Sequence, residues 1–222
     1  MSRIAILGGH GKVALHLARL LIDEGHDVSS VFRNPEHRDE VARTGAVPVV
    51  ADLEQLDTDD LKTLLAGHDA VVWSAGAGGG NPRRTMVVDR DAAIRSMDAA
   101  AAARVKRYVM VSYFGARADH GVPADHPMHA YAEAKAAADD YLRRSSLQWT
   151  ILGPSALTAD PPTGLIDVGD QHTSATVPRQ DVAAVAATVL SMPATAGFFI
   201  PFNIGSMPIH DALDAFVNPR AS

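Results

Sequence analysis

The chain has 222 residues, no cysteine and a net charge of −6, with 47% hydrophobic and 21% charged residues. These values are typical of a globular protein with one domain, and the lack of cysteine excludes disulfides, thiolate metal ligands and a cysteine nucleophile. No segment concentrates enough Lys and Arg to follow a nucleic acid, and no apolar run has the length of a signal-peptide core or a membrane span. We expect a cytoplasmic protein, monomer or homodimer, that binds a small-molecule substrate and neither nucleic acid nor membrane.

Apolar, β-branched runs alternate with helix-period segments along the whole chain, the pattern of a parallel sheet with crossover helices. The predicted strands cover residues 3–7, 27–32, 47–51, 70–74, 107–112, 150–152 and 198–200. The predicted helices lie near residues 11–24, 35–44, 57–67, 86–104, 129–145, 179–191 and 208–216. The pattern predicts a single α/β domain over residues 1–222, a doubly wound parallel sheet of about seven strands with helices on both faces.

Two long irregular stretches interrupt this alternation, at residues 114–128 and 153–177. Both follow the carboxyl ends of predicted strands, where open α/β sheets bind their ligands. Loops of this length in a compact domain are usually functional or mobile. We therefore expect these two loops to build the substrate cleft.

A glycine-rich stretch, GGHGKVA, lies between the first predicted strand and the first predicted helix. It fits G-x-x-G-x-x-A or G-x-G-x-x-A, in which small residues allow a tight turn and a close approach of backbone to a pyrophosphate at the helix N-terminus. The alternative is a turn that holds no ligand. The residues assigned to this loop as cofactor contacts are Gly8, His10, Gly11, Lys12 and Val13.

Arg33 follows the second predicted strand, at the position that contacts the adenosine ribose in this kind of fold. A site for NAD(H) would place Asp or Glu there, whereas a guanidinium suits a 2′-phosphate, with Lys12 and Arg38 as helpers. The alternative is that Arg33 only solvates the end of a strand. The sequence therefore predicts NADP(H) in preference to NAD(H).

Short polar and small residues follow the third and fourth predicted strands. Asp52 and Leu53 are placed to contact the adenine, although Asp52 could equally cap the helix that begins near Asp57. The stretch Ser74, Ala75, Gly76 would let backbone approach the cofactor, or it would form a flexible loop.

Ser112 ends the fifth predicted strand, and Tyr131 and Lys135 begin the helix after the first long loop. Residues four apart share a helix face, so both side chains can reach one cleft. An ammonium beside the phenol would lower the pKa of Tyr131 toward the range of a general acid or base, with Ser112 bonded to the same substrate oxygen. The alternative is a packed Tyr and a Lys that snorkels to the surface.

The order of these motifs, together with VKRYV at 105–109 and Asp89 after Val88, resembles the short-chain dehydrogenase/reductase superfamily. Within it, the chain resembles the atypical NAD(P)H-binding branch that includes biliverdin reductase B, NmrA-like proteins and NAD-dependent epimerase/dehydratases. The resemblance covers the chain from residue 3 to about residue 215.

The resemblance implies that Tyr131 transfers the proton at a substrate oxygen, that Lys135 holds the nicotinamide ribose, and that Ser112 positions the substrate. Asp89 stands where the superfamily normally has the Asn of a proton relay. Pro154 and Ser155 occupy the place of an Arg-Pro-Gly motif and are expected to contact the nicotinamide, although the Arg is missing.

Three histidines and two carboxylates crowd the first long loop. Their spacing matches no familiar metal-ligand motif, so we expect a polar pocket wall or a solvated loop and no metal site. The residues are His120, His126, His129, Asp119 and Asp125.

These patterns predict an NADPH-dependent oxidoreductase of the short-chain type that reduces a small carbonyl, quinone or flavin-like acceptor by hydride transfer. One alternative is a non-catalytic NAD(P)H sensor of the NmrA-like kind, since the cofactor loop would be identical. A further alternative, a sugar-nucleotide epimerase or dehydratase, is disfavoured because only about 70 residues follow the sixth strand.

Overall fold

The computed structural model describes residues 1–78, 80–169 and 176–219. Its strands, in chain order, are β1 Arg3–Leu7, β2 Asp27–Phe32, β3 Val47–Val50, β4 Ala70–Trp73, β5 Arg107–Val111, β6 Gln148–Pro154, β7 Ala156–Thr158, β8 Leu165–Val168, β9 Thr176–Pro178, β10 Phe198–Ile204 and β11 Met207–Pro208. The helices are α1 Lys12–Asp23, α2 Arg38–Ala42, α3 Thr58–Leu65, α4 Pro82–Thr85, α5 Ala93–Ala102, α6 His129–Arg143, α7 Arg179–Ser191 and α8 Ile209–Val217.

The main sheet has the strand order β11-β8-β10-β6-β5-β4-β1-β2-β3. The seven predicted strands all form and pair in parallel, and the order reverses between β1 and β4, as expected of a doubly wound fold. The predicted α/β Rossmann-type fold is confirmed.

The sheet has nine strands and not about seven, because two short strands extend it beyond β10. Strand β8 pairs with β10 in the antiparallel sense, and β11 pairs with β8. Both strands are short, with four and two residues, so they did not stand out in the sequence pattern.

Helices cover both faces of the sheet, and alternate residues of each central strand face opposite cores. In β1, Ile4 and Ile6 pack in the core under α1 and α7, whereas Ala5 and Leu7 pack in the core under α3, α5 and α6. Side chains on both faces are fully buried, which explains why the strands read as continuous apolar runs.

A single helical run covers the region predicted as a helix over 86–104, but it begins at Pro82. The side chain of Asn81 accepts a hydrogen bond from the backbone N–H of Arg84, and Pro82 suits the first turn. Residues Met86–Ala92 form a π-helical turn between α4 and α5. Such turns occur often at functional sites, and this one carries Asp89.

The two segments predicted as long loops differ in structure. Residues 114–128 contain neither helix nor strand, as predicted. The prediction for 153–177 is wrong, because this segment holds the end of β6 and the short strands β7, β8 and β9, of which β7 and β9 form a separate parallel pair. Residues 170–175 of the predicted loop lie outside the described residues, as do 220–222 of the predicted domain.

None of the helices in the described part of the chain is long and apolar enough to cross a membrane.

Candidate cofactor cleft and active site

The glycine-rich loop is closely packed at the carboxyl end of the sheet. Gly8 has φ +90°, and a Cβ atom added there would lie 2.5 Å from the Cα atom of Ala75, which no side chain could tolerate. The backbone N–H groups of Gly8 and Gly9 both donate to the carbonyl of Val31, over 3.0 and 2.7 Å. The loop therefore requires glycine at Gly8 both for its conformation and for the approach to β4.

Helix α1 begins directly after this loop, with Gly11 at its N-cap and no side chain satisfying the free N–H groups. The first turn of α1 contains no acidic residue. Free N–H groups and the helix dipole favour an anion at this position, so the loop fits the pyrophosphate of a dinucleotide.

An outer cleft of about 270 Å³ lies over the ends of β1, β2 and β3. Nine predicted cofactor residues line it: Gly8, His10, Gly11, Arg33, Asp52, Leu53, Ser74, Ala75 and Gly76. The structure thus brings together residues from four separate segments. That they hold the adenosine half of the cofactor stays a prediction.

Arg33 shares a carboxylate partner, Glu54, with a second arginine in the outer cleft. Its guanidinium bonds Oε1 of Glu54 over 3.0 Å, and Arg84 bonds the same oxygen through Nε over 2.9 Å. Arg84 also donates to the carbonyl of Ala77. Sequence reasoning missed Glu54 and Arg84, which lie 21 and 51 positions beyond Arg33, and it named Arg38, which does not line this cleft.

Asp52 accepts a hydrogen bond from the backbone N–H of Glu54 over 3.0 Å, forming an Asx turn. The cap of α3 is Asp57, whose side chain accepts from the N–H of Asp60 in a capping box. The alternative that Asp52 caps this helix is therefore wrong, and Asp52 stays at the edge of the cleft.

His10 reaches away from the phosphate loop toward α2. Its Nε2 atom lies 2.8 Å from Oε2 of Glu40, and its ring stacks on that of His37 with the centroids 3.5 Å apart. The hydrogen bond with His10 lowers the pKa of Glu40. His10 thus closes one side of the outer cleft.

An inner cleft of about 260 Å³ continues from the glycine loop to α6. It is lined by ten predicted residues: Gly11, Lys12, Val13, Ser74, Ala75, Gly76, Asp89, Ser112, Tyr131 and Lys135. Leu157 and Arg179 line it as well and were not predicted. The candidate catalytic residues and the phosphate loop therefore share one cavity.

Lys135 is almost completely buried, at 1% exposure, so the alternative of a snorkelling surface lysine is wrong. Its Nζ atom donates to the carbonyl of Val111 over 2.8 Å. Burial lowers the pKa of Lys135, while the carboxylates of Asp139 and Asp89 oppose that shift. A buried ammonium with spare N–H groups is suited to bind hydroxyl groups in the cleft.

The expected lowering of the pKa of Tyr131 is wrong. Burial raises its pKa, and the nearby carboxylates of Asp89 and Asp139 raise it further. The ammonium of Lys135 donates to the Val111 carbonyl. The raised pKa favours the protonated phenol of Tyr131, which can act as a hydrogen-bond donor.

Asp139 is a buried carboxyl that sequence reasoning missed. It lies one turn after Lys135, and its Oδ2 atom accepts from the hydroxyl of Ser112 over 2.6 Å. Its Oδ1 atom is buried without a hydrogen-bond partner among the described residues. Burial raises the pKa of Asp139 to about 6. Asp139 lies four residues after Lys135, as Lys135 does after Tyr131, so the same spacing continued along the helix would have identified it.

Asp89 holds the loop after β4 in place. Its carboxylate accepts from the backbone N–H of Ala77 over 3.0 Å, and burial raises its pKa. A Cβ atom on Gly76 would lie 3.2 Å from the same carboxylate, so the loop packs tightly on the π-helical turn. Asp89, which was expected to serve a proton relay, thus also holds the backbone of the loop after β4.

Two predicted cofactor residues, Pro154 and Ser155, and a second phenol, Tyr113, lie outside the inner cleft. Pro154 ends β6, and the half-buried Ser155 has a buried hydroxyl without a partner among the described residues, but neither residue lines the inner cleft. The ring of Tyr113 lies 5.3 Å from that of Tyr131, and its buried hydroxyl is likewise without a partner in the described part of the chain.

His120, His129 and Glu133 form a cluster whose ligand atoms lie within 4.8 Å of one another. Nδ1 of His120 accepts from the N–H of Val122 over 3.0 Å, so a neutral ring carries its proton on Nε2, which lies 2.9 Å from Glu133. A metal at Nε2 would require that proton to leave. The cluster is best explained as a clamp that holds the 114–128 loop on α6.

The comparisons with known proteins agree with this geometry. A family model described as NAD(P)H-binding matches residues 8–193. The Bacillus subtilis protein named uncharacterized sugar epimerase YhfK is 29% identical over 213 residues, which cover 95% of this chain and 98% of that protein.

Two solved structures are similar over nearly their whole length. A Bacillus halodurans protein, named for the NAD-dependent epimerase/dehydratase group, has a TM-score of 0.88 and 32% identity over 96% of this chain and 99% of its own. The Lactococcus lactis oxidoreductase ylbE has a TM-score of 0.85 and 27% identity over 99% of both chains. The chain belongs to the NAD(P)H-binding family, and its Bacillus halodurans relative is named for the NAD-dependent epimerase/dehydratases.

Proposed function

We propose that the protein is an NADPH-dependent reductase that transfers a hydride to a small carbonyl, quinone or flavin-like acceptor. The observation that carries this proposal is the inner cleft, where Ser112, Tyr131 and Lys135 line the same cavity as the phosphate loop. Membership of the NAD(P)H-binding family supports the cofactor class. The name of the Lactococcus lactis relative, an oxidoreductase, favours reduction.

The outer cleft supports NADPH over NADH. Two guanidinium groups, those of Arg33 and Arg84, meet at one carboxylate oxygen there. A 2′-phosphate carries more charge than the Glu54 carboxylate and offers more acceptor oxygens, so it can take both guanidinium groups from it. The ribose of NADH, which has only a hydroxyl at that position, offers neither arginine a charged partner.

The residues of the inner cleft fit the proton half of a reduction. When bound, the reduced dinucleotide supplies the hydride. Tyr131 donates the proton that the acceptor oxygen needs as it becomes an alcohol, and its raised pKa keeps that proton in place before reaction. Lys135 would bind the hydroxyls of the nicotinamide ribose, with its ammonium held at the Val111 carbonyl.

The oxygen of Ser112 is best placed to accept a hydrogen bond in the cleft, because its own hydroxyl proton is donated to Asp139. In that arrangement the Ser112 oxygen can orient the phenol of Tyr131 or a hydroxyl of the bound acceptor. When Asp139 is protonated, its carboxyl O–H can donate a hydrogen bond to the Ser112 oxygen. The Ser112 hydroxyl is then free to donate a hydrogen bond to the acceptor.

A small mixed cavity beside Tyr131 supports a compact acceptor. It has about 190 Å³ and is lined on one side by Gly76, Ala77, Gly78, Gly80 and Pro82 and on the other by Pro127, Met128 and Tyr131. The predicted 114–128 loop therefore contributes its end to this cavity. Proline and methionine side chains favour a flat, apolar acceptor there.

The test is to mix the purified protein with NADPH and a panel of quinones, flavins and aldehydes and to follow oxidation of NADPH by absorbance. We expect oxidation above background with at least one acceptor class, and slower oxidation of NADH with the same acceptor. Binding of NADPH without oxidation by any class would overturn the proposal and favour a sensor. Equal or faster use of NADH would overturn the assignment of Arg33 and Arg84.

A further inference from the structure

A third cleft, which we call the α1–α7 groove, lies on the outer side of the phosphate loop. It has a volume of about 460 Å³ and is bounded by helix α1, the start of α7 and the turn after β7. Lys12 and Arg179 line both this groove and the inner cleft, so the two cavities adjoin at these side chains. The groove plays no part in the function proposed above.

The groove carries an excess of basic side chains. Lys12, His16 and Arg19 follow one another at intervals of four and three, which places them on one face of α1, and Arg179 faces them from the first residue of α7. None of the four makes an ion pair or a side-chain hydrogen bond within the described part of the chain.

The acidic groups in the groove offset only part of this charge, because the two carboxylates of Glu40 and Asp160 line the cavity together with three permanent positive charges. Glu40 is bonded to His10, and Asp160 is exposed and makes no ion pair within the described residues. Three permanent positive charges thus face one cavity in a protein with a net charge of −6. The groove therefore keeps an excess of one positive charge, which favours an anionic ligand.

The cofactor alone does not use all of these charges. A pyrophosphate at the N-terminus of α1 would engage Lys12, but Arg19 lies seven residues further along, about 10 Å at the rise of an α-helix. Arg19 lines neither the inner nor the outer cleft. The groove therefore offers a second anion site, adjoining the inner cleft and separate from the cofactor phosphates.

We infer that the α1–α7 groove binds an anionic group of the acceptor, such as a phosphate, sulfonate or carboxylate at the end of a side chain, while the reacting ring lies in the inner cleft. This inference rests on the proposed function, because it assumes an acceptor in the inner cleft. It narrows the acceptor class to molecules that carry an oxyanion able to reach Arg19 while the reacting ring lies in the inner cleft.

The test uses riboflavin and FMN, which share one ring system and differ by a phosphate. Equilibrium binding of each to the protein saturated with NADP⁺ is followed by flavin fluorescence, so that no turnover is needed. The variants are Arg19→Glu, Arg19→Lys and, as a control for charge reversal, Lys62→Glu, since Lys62 is exposed on α3 and lines none of these clefts. NADPH affinity is measured separately for each.

We expect FMN to bind roughly tenfold tighter than riboflavin, the effect of one charge-assisted hydrogen bond on the affinity scale. Arg19→Glu should abolish that difference and leave riboflavin and NADPH affinities unchanged, whereas Arg19→Lys and Lys62→Glu should keep it. Inorganic phosphate should compete with FMN and not with riboflavin.

Equal affinities for FMN and riboflavin, absence of flavin binding, or an equal loss in Lys62→Glu would overturn the inference. The outcome is independent of whether NADPH is oxidised, so failure of the proposed reductase activity shows in the turnover assay and failure of the groove shows in the binding assay.

Discussion

The hydroxyl of Ser112 donates to the Oδ2 atom of Asp139 over 2.6 Å, in a site where both residues are buried. The carboxyl belongs to the same helix as Tyr131 and Lys135, on the face that those two residues share. The protonation state of Asp139 therefore decides whether Ser112 accepts or donates in the inner cleft. It also makes the stability of the protein depend on pH.

The first prediction concerns that dependence. Burial raises the pKa of Asp139 from an ordinary 3.8 to about 6. A carboxyl with a higher pKa in the folded chain than in the unfolded chain stabilises the fold while it is protonated in both states, and this contribution is lost as the pH rises through its folded pKa. The free energy of unfolding should therefore fall by roughly 1 to 3 kcal/mol between about pH 4 and about pH 7.

Asp139→Asn should flatten this profile, because the amide keeps an acceptor oxygen for Ser112 and removes the buried charge. Denaturant unfolding at several pH values across this range measures the free energy of unfolding. Asp140→Asn is the matched control, since Asp140 is half-exposed and paired with Arg144 over 2.6 Å, and it should keep the wild-type slope. A wild-type slope in Asp139→Asn would contradict the assignment.

The second prediction concerns the proton donor. Tyr131→Phe should lower kcat/KM for a carbonyl acceptor by about 10²- to 10⁴-fold, the usual effect of a general acid, and leave NADPH affinity unchanged. Because the pKa of Tyr131 is raised, the wild-type rate should show no loss from ionisation of a phenol up to its ordinary pKa of 10.0. Stopped-flow or steady-state rates over pH give both quantities.

Tyr113→Phe provides the comparison, because the two rings lie 5.3 Å apart and each carries one hydroxyl. We expect it to stay within about twofold of the wild type, as is usual for a substitution outside the chemistry. A larger loss in Tyr113→Phe than in Tyr131→Phe would assign the donor to Tyr113.

The sequence predicted the parts of this site that depend on local spacing. Gly8 and Gly11 were recognisable because a strand precedes them and a helix follows, and Tyr131 and Lys135 because residues four apart share a helix face. Asp139 continues that spacing, but its partner Ser112 lies 27 residues away, and only the packing of β5 against α6 brings them together.

The remaining residues of the site lie on segments whose approach no local pattern encodes. Glu54 and Arg84 are 30 positions apart, and Arg179 reaches the inner cleft from the start of α7. A related reason explains why the pKa of Tyr131 was predicted to shift in the wrong direction. Burial raises that pKa most, and the carboxylates of Asp89 and Asp139 raise it further; neither the burial nor the approach of Asp89 follows from the spacing along the helix.

The third prediction tests the phosphate loop. Gly8→Ala should destabilise the fold by more than the 1–3 kcal/mol typical of a strained backbone, and it should abolish NADPH binding, because the added Cβ would meet Ala75 at 2.5 Å. Gly25→Ala is matched to it, with φ +83° and nothing within 4 Å of the added atom. This variant should lose only the free energy of unfolding that a side chain at positive φ costs, and it should bind NADPH as the wild type does. Equal losses of stability and of NADPH binding in the two variants would show that the contact with Ala75 is not the cause.

The fourth prediction concerns Glu54, whose carboxylate joins Arg33 and Arg84 in the outer cleft. The carboxylate competes with a 2′-phosphate for both guanidinium groups and repels it. Glu54→Gln should therefore tighten NADPH binding by roughly fivefold, about 1 kcal/mol of charge repulsion in a partly exposed site, and change NADH binding little. Stability should change by less than about 1 kcal/mol, because Arg33 is largely exposed.

Fluorescence titration with NADPH and with NADH measures the two affinities separately. Glu24→Gln is the control for a change of one charge, since Glu24 is exposed at the far end of α1. If Glu54→Gln weakened NADH and left NADPH unchanged, Glu54 would be the acceptor for a ribose 2′-hydroxyl. The outer cleft would then favour NADH, and the two arginines would serve to hold that carboxylate in place.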